Sequence, residues 1–377
     1  MNKTALALVF CLSFLTSCMT QQEPLHYLIT GTYTGDKSEG IYVYLFNSKD
    51  GSYKEVSHVK TSNPSFLTLS PDEKYVYAVA ENSNNGNGGE VASFAFDKKT
   101  GVLTPVNRQL SHGDSPCYID VNKTGKWIFV ANYTSGTLSV LPVDASGKIG
   151  EAATTIQHEG SGVNKSRQSK PHVHCTYISD DDKWLFVPDL GIDKVMVYSF
   201  DTTNGSLKPA EQPFIKIEDG GGPRHITFHP NKKFAYVIEE MGGAVDAFDY
   251  DNGKFNAVQR IESVQKEDTA FIGSADIHVS DDGKFLYASN RGGFNTIAIY
   301  SINQQDGKLT LVGHQQSLGD IPRGFSIDPS GKFLLAANQE SNDIVIFNRD
   351  EKTGLLTDTG KRIAVGKPVC LKWAKAE

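Results

Sequence analysis

Two short stretches set ionisable side chains beside proline and glycine: Pro171-His172-Val173-His174 and Gly221-Gly222-Pro223-Arg224-His225. Arg291, Arg323, Glu240, Asp276 and Asn338 occupy comparable places elsewhere in the chain. A guanidinium fork grips carboxylate or phosphate oxygens bidentately, so Arg224, Arg291 and Arg323 brought together would form an anion site. Histidine titrates near neutrality and can take a proton from water. Arginine can also stabilise an oxyanion as its charge develops. A neighbouring carboxylate would orient the guanidiniums or an imidazole.

Separated by tens of residues, these side chains can meet only if a repeat brings them to one place. Lys74, Lys126, Lys183, Lys233, Lys284 and Lys332 each precede a short hydrophobic run, at intervals of 48 to 57 residues. A seventh run begins at His26. Each unit reads as four strands: β-branched and aromatic residues alternate at period two between turns of Gly, Asn, Asp and Pro. Seven such units predict an all-β, seven-bladed propeller with four-stranded antiparallel blades. The N-terminal unit lacks an innermost strand, and Pro368 to Trp373 resembles one with no blade after it. The C-terminal strand is therefore expected to complete the first blade and close the ring.

The repeat also supplies a register. Nine residues before each lysine, at the start of the innermost strand, stand Ser65, Cys117, His174, Arg224, Ala275 and Arg323. Six and seven residues after it, at the end of the second strand, stand Ala80-Glu81, Asn132-Tyr133, Asp189-Leu190, Glu239-Glu240, Asn290-Arg291 and Asn338-Gln339. The first two strands of a blade are antiparallel, so these ends share one face of the disc and rim one channel mouth. His174, Arg224 and Arg291 are the catalytic candidates on this register. His172, His225, Asp276, Arg323 and Asn338 are candidate substrate-binding residues. Strict alternation turns His225 away from Arg224 and towards packing. Asp276 suits a turn cap or a support for Arg224, and Arg323 suits either function or pairing with an aspartate. His229, before Pro230, is expected to be structural.

Outside the repeat, Lys3 and the apolar stretch Ala5 to Leu15 read as a signal segment too short to span a membrane when mature. Leu15-Thr16-Ser17-Cys18 resembles a bacterial lipoprotein box. This predicts a signal peptide over 1–17, lipidation at Cys18, a tether over 18–25 and one propeller domain over 26–377, held at the cell envelope only by a lipid anchor. A formal net charge of −7 and no basic block argue against nucleic acid. Cys117, Cys175 and Cys370 fall on innermost strands and are expected as buried free thiols. No zinc spacing is present, and neither a metal nor a cofactor is called for. Asn84 to Gly89 reads as a solvated turn. Residues 159–170 lengthen one unit and carry Lys165, Arg167 and Lys170; they suit a surface insertion or an anion-attracting lid.

Gly222-Pro223-Arg224-His225, Pro171-His172-Val173-His174, Ser289-Asn290-Arg291-Gly292 and Gly31-Thr32-Tyr33-Thr34 resemble the seven-bladed propeller lactonases. That family includes the propeller-type 6-phosphogluconolactonase and the fungal carboxymuconate cyclase. The resemblance implies a histidine, two arginines and a glutamate at the channel mouth. These roles fall on His174, Arg224, Arg291 and Glu240, with Glu239 adjoining the last. It implies hydrolysis of a small anionic sugar-acid lactone. Two alternatives are a non-catalytic propeller that binds carbohydrate or protein and a cyclase or lyase acting on a dicarboxylate. An exported chain departs from the cytoplasmic setting of a phosphorylated sugar lactone.

Overall fold

The computed structural model describes residues 25–83, 88–265 and 271–377. The expected signal segment, Cys18 and most of the Asn84 to Gly89 turn lie outside the described residues. Seven four-stranded antiparallel sheets form the blades, and no helix occurs among the described residues. The last strand, Pro368–Lys375, pairs with the first, Leu25–Thr32, with His26 opposite Lys375 and Leu28 opposite Trp373. The ring therefore closes as expected from the two chain ends.

Burial explains why each blade has the sequence it has. Second strands are covered by neighbouring blades on both sides, so Trp127–Asn132 is buried throughout and reads almost continuously apolar. Outermost strands such as Ser52–Lys60 are largely exposed and carry the lysine, glutamate and serine that blunt a free edge. Apolar clusters fill the gaps between blades. One of them joins Tyr27, Ile29 and Val43 of the first blade to Leu67, Val76 and Phe94 of the next.

The repeated lysines mark a turn. In one form a serine hydroxyl donates to the aspartate two residues on and accepts the backbone N–H that begins the next strand, as at Ser70, Asp72 and Tyr75. Ser179 with Asp181 and Ser280 with Asp282 repeat it. The residue before each lysine is left-handed: Glu73, Gly125, Asp182, Lys232, Gly283 and Gly331 all have positive φ. This conformation turns the chain from the first strand into the second.

The innermost strands carry a second shared feature that places the site. The pairing register slips between Pro116 and Tyr118, between Pro223 and His225, and between Pro322 and Gly324. The extra residue at each bulge is Cys117, Arg224 or Arg323. A related slip lies between Ser274 and Ile277 and contains Ala275 and Asp276. Bulges re-aim side chains and interrupt strict alternation.

Candidate functional site

At the ends of the second strands, adjacent residues separate by role. Side chains six residues after the lysine turn into the blades and tie down loops. Asn132 donates to the Ser111 carbonyl (3.0 Å), Asn290 to that of Ser263 (2.7 Å), and Asn338 to that of Ser317 (3.3 Å). Asp189 meets His158 at 2.7 Å. Glu239 is bound by Arg260 through two contacts of 2.7 and 2.6 Å. Asn338, expected to touch substrate, is thus a buried loop tie; alternation at the strand end points it away from the channel. Of the two glutamates, Glu240 meets Arg224, Arg291 and His174, and Glu239 does not.

Glu240 is the hub of the cluster. Its Oε2 lies 3.1 Å from Arg224 Nε and 3.0 Å from Arg291 Nη2, and 4.0 Å from His174 Nε2. Its Oε1 lies 2.6 Å from Arg167 Nη2. Burial disfavours the carboxylate, but Arg291, Arg224 and Arg167 outweigh it and hold Glu240 at about 2. Arg291 is oriented by donating from Nε to the Gly273 carbonyl (2.9 Å), and Arg224 by donating from Nη1 to that of Ala275 (2.6 Å).

His174 is buried between the edge of Tyr133 (ring centroids 5.5 Å apart) and His225 (5.4 Å), with Nδ1 3.9 Å from the Cys117 thiol. Its Nε2 faces the arginine–glutamate cluster. Burial, reinforced by Arg224, holds the imidazole well below its usual pKa, so it is neutral. His172 is nearer the surface, stacked on Tyr133 at 4.5 Å with Nδ1 3.0 Å from the Tyr133 carbonyl. That contact requires Nδ1–H and leaves Nε2 as an acceptor. Arg323 lies over the Tyr33 ring at 5.4 Å, and Tyr33 donates to Glu81 at 2.8 Å. Among the described residues Arg323 forms no ion pair.

His225 departs from the expectation of alternation. The bulge at Arg224 lets both buried side chains meet, with Arg224 Nη1 3.0 Å from His225 Nε2. An arginine only donates, so Nε2 accepts and Nδ1–H donates to Asp276 Oδ1 at 2.9 Å. Burial, then Arg224, depresses His225 to about 3. Asp276 Oδ2 accepts from His278 Nε2 (3.0 Å) and the Phe325 N–H (3.2 Å). Asp276 therefore supports Arg224 from beneath. His225, Asp276 and His278 line a cavity of about 240 Å³ with Phe66, Tyr118 and Lys372.

Three contributors were missed in sequence. The sequence places Arg167 only within an insertion and Tyr133 only in the repeat register, and it does not single out His278. The lengthened unit and the strand register are visible in the sequence for Arg167 and Tyr133, but their contacts with other blades are not. Cys117, Cys175 and Cys370 are buried free thiols, as expected. His229 is structural, with Nε2 2.9 Å from the Gly283 carbonyl.

A ring of seven four-stranded blades, with buried histidine, arginine and glutamate side chains meeting between them, defines a seven-bladed β-propeller. The family model described as "Lactonase, 7-bladed beta-propeller" matches residues 27–373, and the chain belongs to that family. It is 41% identical over 344 residues to a 6-phosphogluconolactonase of Formosa agariphila, covering 90% of this chain and 96% of the relative. It is 35% identical to a 6-phosphogluconolactonase of Bacillus subtilis, covering 91% and 97%. The solved periplasmic gluconolactonase of Pseudomonas aeruginosa superposes with a TM-score of 0.89 at 34% identity, covering 94% of this chain and 100% of that one.

Proposed function

We propose that this protein is a lactone hydrolase that opens a sugar-acid lactone at the channel mouth. The observation that carries the reading is the convergence of His174, Arg224 and Arg291 on Glu240. Relatives named for this activity, matched over nearly their whole length, support it.

In the proposed reaction, His174 Nε2 takes a proton from water as the water oxygen bonds to the lactone carbonyl carbon. Arg224 and Arg291 stabilise the tetrahedral oxyanion. Collapse breaks the bond from carbonyl carbon to ring oxygen, and the imidazolium returns its proton to that oxygen. The product is a hydroxy acid whose carboxyl group ionises. Glu240 Oε2 holds the two arginines together. The neutral state of His174 suits a base, and an anionic species between the arginines would offset their effect on it.

The test is a panel of phosphorylated and unphosphorylated lactones, assayed above the enzyme-free rate with wild type and His174→Ala. General-base assistance is worth about 10²–10⁴-fold, so kcat should fall by that order with a modest change in KM. Wild-type kcat in the variant would remove His174 as the base and make His172 the next candidate.

The envelope location is part of the same proposal. It rests on Leu15-Thr16-Ser17-Cys18 and is supported by the relative named as periplasmic. Cys18→Ser should release the protein from membranes without changing its fold; continued membrane partitioning of the variant would exclude the lipid anchor.

A further inference from the structure

Arg167 differs from the other arginines of the mouth in how it is carried. Arg224, Arg291 and Arg323 stand on the strands Pro223–Phe228, Phe285–Gly292 and Pro322–Ile327. Arg167 stands on the insertion between Thr154–Gln157 and Tyr177–Ile178. That insertion has a built base. Gln168 is fully buried and donates to the Leu190 carbonyl (2.8 Å) and Asp193 Oδ1 (2.6 Å). Asn164 closes the turn by accepting from Gln168 N (2.6 Å) and Arg167 N (3.1 Å) at its carbonyl. The Arg167 side chain then reaches over the mouth, 31% exposed against 2% for Arg224 and 13% for Arg291.

Glu240 divides its oxygens between these groups. Oε2 serves Arg224 and Arg291, whereas Oε1 is met by Arg167. Arg167 can therefore leave Oε1 without unpairing the two buried arginines. The four guanidiniums Arg167, Arg224, Arg291 and Arg323 outnumber the carboxylates Glu81, Glu240 and Asp276 by one, an excess that an anionic group on the substrate would neutralise. A solvent-accessible guanidinium on a long side chain is suited to grip such a group bidentately.

We infer that Arg167 is a specificity-determining residue, binding a carboxylate or phosphate substituent of the lactone at the outer rim of the mouth. The inference rests on the lactonase reading of this site. Its test uses the full protein with a glucono-lactone carrying a 6-phosphate and the same lactone without it. Arg167→Ala should raise KM for the phosphorylated lactone about tenfold or more, with kcat within about twofold. KM for the unphosphorylated lactone should rise much less. Arg167→Lys should recover only part of the loss, since an ammonium lacks the planar fork. Equal damage on both lactones would show that Arg167 acts only through Glu240, and no change on either would make it a surface residue; both overturn the assignment. If wild type opens neither lactone above background, the lactonase reading has failed separately. Inorganic phosphate titrated calorimetrically into wild type and Arg167→Ala then decides: weaker binding by the variant keeps the anion role, and equal binding ends it.

Discussion

Arg224 Nη1 lies 3.0 Å from Nε2 of the very next residue, His225, and both side chains are buried. Pleating alone would place them on opposite faces. The bulge at Arg224 joins them, and Asp276 completes the string by accepting from His225 Nδ1 at 2.9 Å. His225 and Asp276 are therefore positioning groups for Arg224. His225→Ala should lower kcat/KM less than Arg224→Ala, for which loss of an oxyanion donor suggests about 10²–10³-fold in kcat. Once Arg224 is alanine, adding His225→Ala should cost almost nothing further, because His225 acts through Arg224. Additive losses in that cycle would show that His225 acts independently of Arg224.

Glu239 and Asn338 supply the contrasting case. Both are fully buried next to mouth residues, yet both serve the blades. Asn338→Ala strands the Ser317 carbonyl and should cost about 1–3 kcal/mol of stability, the usual penalty for an unsatisfied buried group. Its kcat and KM should match wild type. A selective loss of kcat at unchanged melting temperature would return Asn338 to the site.

The difference between these residues marks what a repeat can reveal. Period-two alternation, the turn before each lysine and the unpaired C-terminal strand are local patterns, so the blade count and ring closure could be read directly. The register also groups His174, Arg224, Arg291 and Glu240, which do meet one another in the fold. It could not divide Glu239 from Glu240, because that depends on which face of a strand end meets the channel. Nor could it foresee the bulges, which are visible only as pairing between strands. Arg167 and His278 act through contacts to Glu240 and Asp276 on other elements, and no spacing encodes those contacts.

The pH dependence follows from His174 and His225. Burial depresses both imidazoles, so in the folded protein they stay neutral below the ordinary histidine value of 6.5. The unfolded chain takes up those protons near 6.5 and the folded chain does not, so stability should fall as pH drops below that value. The base should remain unprotonated over the same range. The kcat/KM profile, which reports the free enzyme, should therefore cross 6.5 without an inflection. An acidic limb centred near 6.5 would mean that the essential base is a solvated histidine and exclude His174.

The last prediction concerns closure of the ring. Pro368–Lys375 supplies the innermost strand of a blade whose other strands come from the N-terminal end. Its Cys370 packs with Tyr27, Ile29 and Leu67, while Leu371 packs with Leu28, Phe46 and Leu335. Trp373 Nε1 also donates to Ser326 Oγ (2.9 Å) in the neighbouring blade. One strand thus belongs to the cores on both sides of the closing blade. Removing residues 368–377 strips that packing and leaves Leu25–Thr32 with an unpaired edge facing the channel. Unpaired edges with apolar faces recruit other chains. The truncated protein should aggregate or lose cooperative thermal unfolding, whereas a single substitution such as Trp373→Phe, which removes the bond to Ser326 and part of the ring packed on Phe46, should lower the melting temperature and keep the transition sharp. Size-exclusion chromatography with calorimetry checks both, and a monomeric truncation that melts like the full chain would show that ring closure does not depend on this strand.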